Sequence, residues 1–393
     1  MVTLSTADNA LKEVYLDVLS NQLNISINPL LAKINQTTAD VWGKEIRKLA
    51  PYGINGGIGA GREDGVLPAS AGSNYAQFIL TLKNLYGRVE ITDKAIRASE
   101  NSTGAFVNLL NNEMESLIQA SAFNFGRMLY GDGSGFLANI VSNTASSVTV
   151  DKVTNLIEGM IVDVVSEAGI DIKTGLRIAS IDRVNKTINF TTSALGADSF
   201  ADQNYKLCVQ GSYNNEITGL GAIFKDTGML YGLNREAYPW LKPYMRELSA
   251  EGTTDISEVA MQKAIDELDE TANSKVDFIV CSAGVKRNYQ NYLASYRSNI
   301  DVMNLEGGFK AISYNGIPLV SDRFVPQNTM YLLNTKDFNL HQLCDWKWLE
   351  SEDGRVLKQT AGKPTFEATL VKYADIICNK PNGQAMITGI KES

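Results

Sequence analysis

The sequence predicts an α+β protein built on one long helix, with a small all-β domain inserted behind that helix. Three observations carry this reading. Apolar residues recur at three- and four-residue steps from Phe106 to Leu129, the stripe of a single amphipathic helix. Runs that alternate apolar and polar residues lie ahead of it near residue 80 and again beyond residue 310. Between about Val148 and Gly211, short β-type runs follow one another with few helical signals.

In chain order, residues 1–50 read as an arm with helical pieces. Leu11, Val14, Tyr15, Val18 and Leu19 share one helical face, and Pro29 ends whatever follows Leu23. The next stretch, YGINGGIGAGREDGVLPASAGSNY, is rich in glycine and serine around the charge cluster Arg62, Glu63 and Asp64. Such a composition builds no core of its own and predicts an extended loop. It runs into AQFILTLKNLYGRVEITDKAI. There Phe78, Leu80 and Leu82 alternate with Gln77, Thr81 and Lys83, and Val89 and Ile91 alternate with Arg88, Glu90 and Thr92. This pattern suits a long strand pair that buries one face against something outside itself, because an isolated two-stranded ribbon is marginal in water.

The stripe Phe106, Leu109, Leu110, Met114, Leu117, Ile118, Ala122, Phe125, Met128 and Leu129 then predicts a helix of about 27 residues, roughly 40 Å long. Thr103 stands where an N-cap belongs and Gly131 where a left-handed C-cap glycine belongs. The spacing Gly131-x-Gly133-x-Gly135 superficially suggests a phosphate loop. A phosphate loop, however, leads into the N-terminus of a helix, and these glycines leave a C-terminus; position 136 is Phe and no Gly-Lys-Ser/Thr follows. The stretch is a stop signal and an exit.

After it come SSVTVD, GMIVDVVS, LRIASIDRVNKTINF and YKLCVQG, with Asn185-Lys186 placed like a tight hairpin turn, which together predict a barrel-like module. From Thr218 the chain turns mixed. Ile256–Leu268 is an amphipathic helix opened by Thr254 or Asp255; VDFIVCS is a buried strand and GVKRNYQNYLASY a helix. FKAISYNGIPLVSD and TMYLLNTKDF are strands separated by the Pro326 turn, and the tail TFEATLVKYADIICNKPNGQAMITGI is alternating β. There is no internal repeat and no heptad pattern.

Composition narrows the function. The chain has 393 residues with 44% hydrophobic and 20% charged residues, as in ordinary globular proteins. No apolar run reaches the roughly 18 residues of a membrane span, and the N-terminus has no secretory pattern. A net charge of −8 and a pI near 5.0 argue against a chain that wraps nucleic acid directly, though not against one that encloses it. The four cysteines, Cys208, Cys281, Cys344 and Cys378, stand singly, as free thiols of a reducing compartment would. One histidine, His341, leaves little for acid–base chemistry and none for histidine-rich metal sites, so neither a metal nor a cofactor is expected. Asp266, Glu267, Asp269 and Glu270 are carboxylates on paper, but the helical spacing puts them on a solvated face.

The order of elements resembles the major capsid protein of tailed double-stranded DNA bacteriophages. Four stretches carry the resemblance: LKNLYGRVEITDKAIRAS (82–99), the strand returning from that family's extended loop; MLYGDGSGFLANI, the glycine exit from its spine helix; YNGIPLVSDRFVPQNTMYLLNTKDF (314–338), its late paired strands; and YADIICNKPNGQAMI, its final strands. The β insertion departs from the minimal pattern of the family.

This resemblance implies a Hong Kong 97-type fold: an N-terminal arm (1–50), an E-loop with its strand pair (51–92), a P-domain with the spine helix (93–137), an inserted all-β domain (138–217), an A-domain (218–340) and P-domain return strands (341–393). It also implies a structural protein, not an enzyme, that assembles with itself into hexamers and pentamers of an icosahedral head. The head would form in the host cytoplasm and enclose DNA without reading its sequence or touching a membrane. A separate scaffolding protein and a portal are implied partners, since only about 50 residues precede the E-loop and no large leader is expected to be removed. Arg62, Glu63 and Asp64 at the E-loop tip are inter-subunit contact candidates. So is Lys83, in the region where some such capsids crosslink; no partner residue is assigned, and no crosslink is carried over. Two alternatives remain: an encapsulin-type bacterial shell protein, whose family is shorter and lacks the insertion, and an enzyme working through a carboxylate pair.

Overall fold

In the computed structural model, residues 28–39, 41, 45–94, 103–166, 168–191, 195, 200, 205–252, 254–296, 302–304, 310–350, 354 and 356–392 are described. The expected helical face of the arm, Leu11 to Leu19, falls outside them. The chain divides into two compact units, Met1–Ala122 with Ile223–Ser393, and Phe123–Ala222.

Four strands come first: β1 (Asn35–Thr37), β2 (Ile46–Tyr52), β3 (Asn74–Leu80) and β4 (Lys83–Thr92). The long helix α1 (Thr103–Leu129) follows, 27 residues long and ending where its apolar stripe ends, with Thr103, expected as the N-cap, inside it. Of that stripe Met114, Ile118, Ala122, Phe125, Met128 and Leu129 are buried. The strand pair expected within AQFILTLKNLYGRVEITDKAI is corrected. β3 pairs antiparallel with β2, Ile46 opposite Leu80 and Tyr52 opposite Asn74, so residues 46–50 form a strand. β4 leaves the ribbon at Thr81–Leu82 and enters a different sheet. It crosses α1 at Gly87, where an added Cβ would lie 3.1 Å from Leu117 Cδ1.

The second unit holds β5 (Phe136–Asn143), β6 (Ser147–Val150), β7 (Ile161–Val165), β8 (Asp171–Asp182), β9 (Thr187–Phe190) and β10 (Lys206–Val209). They close into a barrel in the order β10-β5-β6-β9-β8-β7. Val148, Val150, Val162, Val164, Leu176, Ile178, Ile188 and Leu207 fill its interior, the alternate positions that a barrel turns inward. The β8–β9 hairpin turns through 183–186. Asp182 pairs with Thr187, so the turn has four residues and not the expected two, Asn185 and Lys186; Asp182 Oδ1 accepts from Val184 N and Asn185 N at 3.0 Å each, and Lys186 takes the positive φ of 53°.

Past the barrel come a helical turn, α2 (Leu220–Ile223), the two-residue strands β11 (Met229–Leu230) and β12 (Leu233–Asn234), and β13 (Tyr244–Glu247). There follow α3 (Glu258–Ala272), β14 (Phe278–Cys281), α4 (Ala283–Tyr296), β15 (Val302–Asn304), β16 (Lys310–Tyr314), β17 (Ile317–Ser321) and β18 (Met330–Leu333). The last strands are β19 (Phe338–Trp348), β20 (Lys358–Gln359), β21 (Thr365–Cys378) and β22 (Ala385–Thr388).

Two sheets organise the first unit. One is five-stranded, β1-β19-β21-β20 with β4 on the other edge of β21. The other is seven-stranded, β13-β22-β18-β14-β17-β16-β15, and buries Ile279, Cys281, Leu319, Leu332 and Ile387 against Met261, Ala264 and Leu268 of α3 and Val285, Tyr289 and Leu293 of α4.

Three further expectations are corrected here. Ser257, not Thr254 or Asp255, caps α3: its Oγ accepts from Ala260 N at 3.2 Å. FKAISYNGIPLVSD is not one strand but the β16–β17 hairpin, turned by Asn315 (φ 50°) and Gly316 (φ 79°), the positive pair that a tight hairpin favours. Residues 385–388 of the expected return strands pair with β13 and β18 instead, inside the seven-stranded sheet.

Candidate assembly site

The β2–β3 ribbon continues into residues 53–73, every one of them exposed. Apolar side chains stand in this stretch without cover: Ile54, Ile58, Val66 at 96% and Leu67 at 86% exposure. The glycine-rich composition predicts a loop without singling out these four residues; the signal for them is the apolar residues spaced between the glycines of GINGGIGAGREDGVLP. Arg62, Glu63 and Asp64 form the turn at the tip, closed by a hydrogen bond from Gly65 N to Arg62 O at 3.0 Å. Among the described residues none of the three has an ion-pair partner. Lys83 is not at the tip. It opens β4, opposite Ala374 of β21, between two residues of a cleft of about 250 Å³ lined by Val41, Glu45, Ile46, Leu82, Asn84, Leu343 and Tyr373.

The root of the ribbon is covered by the chain itself, contrary to the expectation that only an outside surface would cover it. Ala76, Phe78 and Leu80 point inward and are buried. Phe78 meets Tyr231 at 5.1 Å and Trp240 at 6.0 Å between ring centroids, and Tyr52 stacks on Trp240 at 5.1 Å with planes 10° apart. Ile79 N donates to Tyr231 O at 2.9 Å. Tyr231 sits in the β11–β12 turn at φ 50°, and its hydroxyl accepts from Cys378 N at 2.8 Å. Burial pushes this phenol well above its ordinary pKa.

The turn is held from inside by Arg235, 1% exposed. It donates from Nη1 to Thr227 O and Met229 O, at 3.1 and 3.3 Å, and from Nη2 to Ile223 O at 3.2 Å. None of these residues had a periodic signal.

The glycine exit has a structural role, and the left-handed residues are Gly133 (φ 82°) and Gly135 (φ 80°), not Gly131 as the sequence suggested. Gly131 N donates to Met128 O at 3.0 Å and continues the last turn. The chain returning from the barrel packs on the same place: a Cβ on Gly219 would lie 2.2 Å from Met128 O, and one on Gly135 would lie 2.6 Å from Ser212 O. Arg127 donates to both carboxylate oxygens of Glu216, one at 3.0 Å, and to Asn124 Oδ1 at 2.7 Å. Arg127 lies off the apolar stripe of α1, in line with the exposed Ser116 and Ala120, and is buried only because the last turn is covered all round, so periodicity gave no signal for it.

The other candidates are quiet. Asp266, Asp269 and Glu270 are exposed and Glu267 half-buried. Among the described residues no group of three His, Cys, Asp or Glu could hold a metal ion, and no helix is long and apolar enough to cross a membrane. His341 is buried on β19, between Thr37 of β1 and Asp375 of β21. None of the four cysteines is in a disulfide, and three of them are buried.

No family profile matches the chain, and no curated protein is similar to it in sequence. Solved structures are similar to it. The capsid asymmetric unit of cyanophage A-1(L) has a TM-score of 0.55 at 13% identity, over 95% of this chain and 92% of that one. An encapsulin complex from Synechococcus elongatus PCC 7942 has a TM-score of 0.48 at 8% identity, over 93% and 89%. The capsid of Myoviridae phage XM1 has 0.47 at 8% identity, over 93% and 92%. The cyanophage structure carries the assignment: the chain has the Hong Kong 97-type phage capsid fold, with a β-barrel inserted after its spine helix.

Proposed function

We infer that the chain is a major capsid protein of a tailed bacteriophage, a structural protein without catalytic activity. Copies would assemble into hexamers and pentamers of an icosahedral head that encloses double-stranded DNA. The observation that carries this is the tip of the E-loop, residues 53–73. It projects Ile54, Ile58, Val66 and Leu67 from a segment that has no core of its own, and a soluble monomer gains nothing from such a projection. A neighbouring copy supplies the missing cover, and symmetry repeats the contact in every subunit. The net charge of −8 suits a shell that contains DNA without gripping it. A separate scaffolding protein and a portal complete the assembly, which takes place in the host cytoplasm and ends in the virion.

Expression of the full chain, alone and with candidate scaffold, followed by size-exclusion chromatography and negative-stain imaging, tests the reading. Closed heads large enough for a phage genome are the expected result. Small closed cages would assign the chain to an encapsulin shell instead, and a monomer under all conditions would overturn both.

A further inference from the structure

The E-loop ribbon joins its subunit through two single-chain connections, at Glu45 before β2 and at Thr81–Leu82 after β3. A two-stranded ribbon tethered in this way would swing. What steadies it is the segment from Leu230 to Leu241, and the grip is unequal on its two sides. On the body side it is buried: Tyr231 Oη accepts from Cys378 N, and Arg235 holds three backbone carbonyls from within. On the ribbon side it consists of ring faces, Tyr52 on Trp240 and Phe78 against Tyr231 and Trp240, with the single backbone bond from Ile79 N to Tyr231 O. Tyr52 and Trp240 are both only half-buried. If the two halves part, they part on the ribbon side.

We propose that residues 230–241 are a clasp that sets the angle at which the E-loop leaves the subunit, so that Tyr231 and Trp240 are positioning residues for shell assembly. This rests on the capsid reading above. The length of the ribbon explains why the clasp matters. From Tyr52 to the tip near Glu63 the chain runs about 11 residues, up to roughly 35 Å when extended, so a small change of angle at the clasp displaces the tip by many ångströms. A tip so displaced would miss its contact on the neighbouring copy.

The Ile79 amide gives a direct readout, because it points to Tyr231 O and not across the ribbon to β2. Hydrogen exchange followed by mass spectrometry on 74–80 and 373–378 should therefore separate loss of the clasp from loss of the fold. Trp240→Ala is expected to speed exchange in 74–80 by about tenfold or more while 373–378 keep their rates. It is also expected to lower particle yield severalfold or to mix particle diameters, and Trp240→Phe should restore both.

Tyr52→Ala, made from the ribbon side, repeats the test should Trp240→Ala unfold the subunit. Parental exchange in 74–80 in both alanine variants overturns the clasp. Faster exchange with parental particle yield and diameter overturns the positioning role. Should the parent form no particles at all, the capsid reading fails and the positioning role with it, whereas the exchange measurement still decides whether the clasp exists.

Discussion

The guanidinium of Arg127 and the carboxylate of Glu216, 89 residues apart in sequence, form a bidentate ion pair with 4% and 2% of their side chains exposed. Arg127 belongs to the last turn of α1, and Glu216 to the chain returning from β10, so the pair fastens the outgoing and returning ends of the barrel domain together. Asn124 Oδ1 accepts from two more guanidinium donors, Nε at 3.1 Å and Nη2 at 2.7 Å. Removing either charge leaves the other buried without its counter-ion. Arg127→Met and Glu216→Leu, each alone, should cost about 3–5 kcal/mol, and the double variant should recover most of that loss. Chemical denaturation of the four proteins checks this; losses that simply add would sink the idea.

The close approach at Gly219 predicts a second result. A Cβ there would meet Met128 O at 2.2 Å, and its other near neighbours are also backbone carbonyls, which cannot swing aside. Gly219→Ala is expected to lower stability by about 1–3 kcal/mol or more. Gly72→Ala meets nothing within 4 Å and should stay within about 0.5 kcal/mol of the parent. Thermal melts of the two variants side by side make the comparison.

Thiol chemistry follows from burial. Burial pushes the Cys281 thiol up to about 12 and raises that of Cys378 as well, and Cys208 is also buried. Only Cys344 is partly exposed. A disulfide reagent at neutral pH should therefore titrate one thiol per native chain quickly and all four in denaturant. Rapid reaction of two or more in the native protein would contradict the packing described.

Asp337 gives a pH dependence. Burial raises its carboxyl above the ordinary value, Lys380 and the hydrogen bond from Gln384 pull it down, and Asp277 raises it. A carboxyl with a folded pKa above its unfolded one contributes stability that is fully present below the unfolded pKa and is lost as pH rises through the folded one. At neutral pH the charged form is thus a cost to the fold. Asp337→Asn keeps an oxygen for Gln384 Nε2, now 3.1 Å away, and should raise Tm at about pH 7.5 but not at about pH 4. Scanning calorimetry at both values checks it, and an equal shift at both would refute the assignment.

A last prediction concerns the tip triplet. Arg62, Glu63 and Asp64 are exposed on a loop that the capsid reading lays across a neighbouring copy. Exposed pairs contribute only about 0.2–1 kcal/mol each, but a shell repeats them in every subunit. Arg62→Glu should leave the subunit's melting unchanged and lower particle yield, more at low salt than at high salt. Equal yields across the salt series would remove the triplet from the assembly contact.

The sequence by itself determined those features that depend on neighbours within a few residues. The stripe from Phe106 to Leu129 marked α1 and its C-terminal end, because helical burial repeats every three or four positions. Alternation gave the strands of the barrel and the inward sides of β3 and β4, because a strand turns successive side chains to opposite faces. Only the tertiary structure decided what each face meets. Alternation runs almost unbroken from Phe78 to Ile91, yet β3 joins β2 and β4 joins β21, since periodicity marks a buried face without naming its partner. The same holds for Arg127 with Glu216 and for Phe78 with Trp240. These contacts are made by segments far apart in the chain, and nothing in the local pattern of either segment encodes the distance between them once the chain is folded.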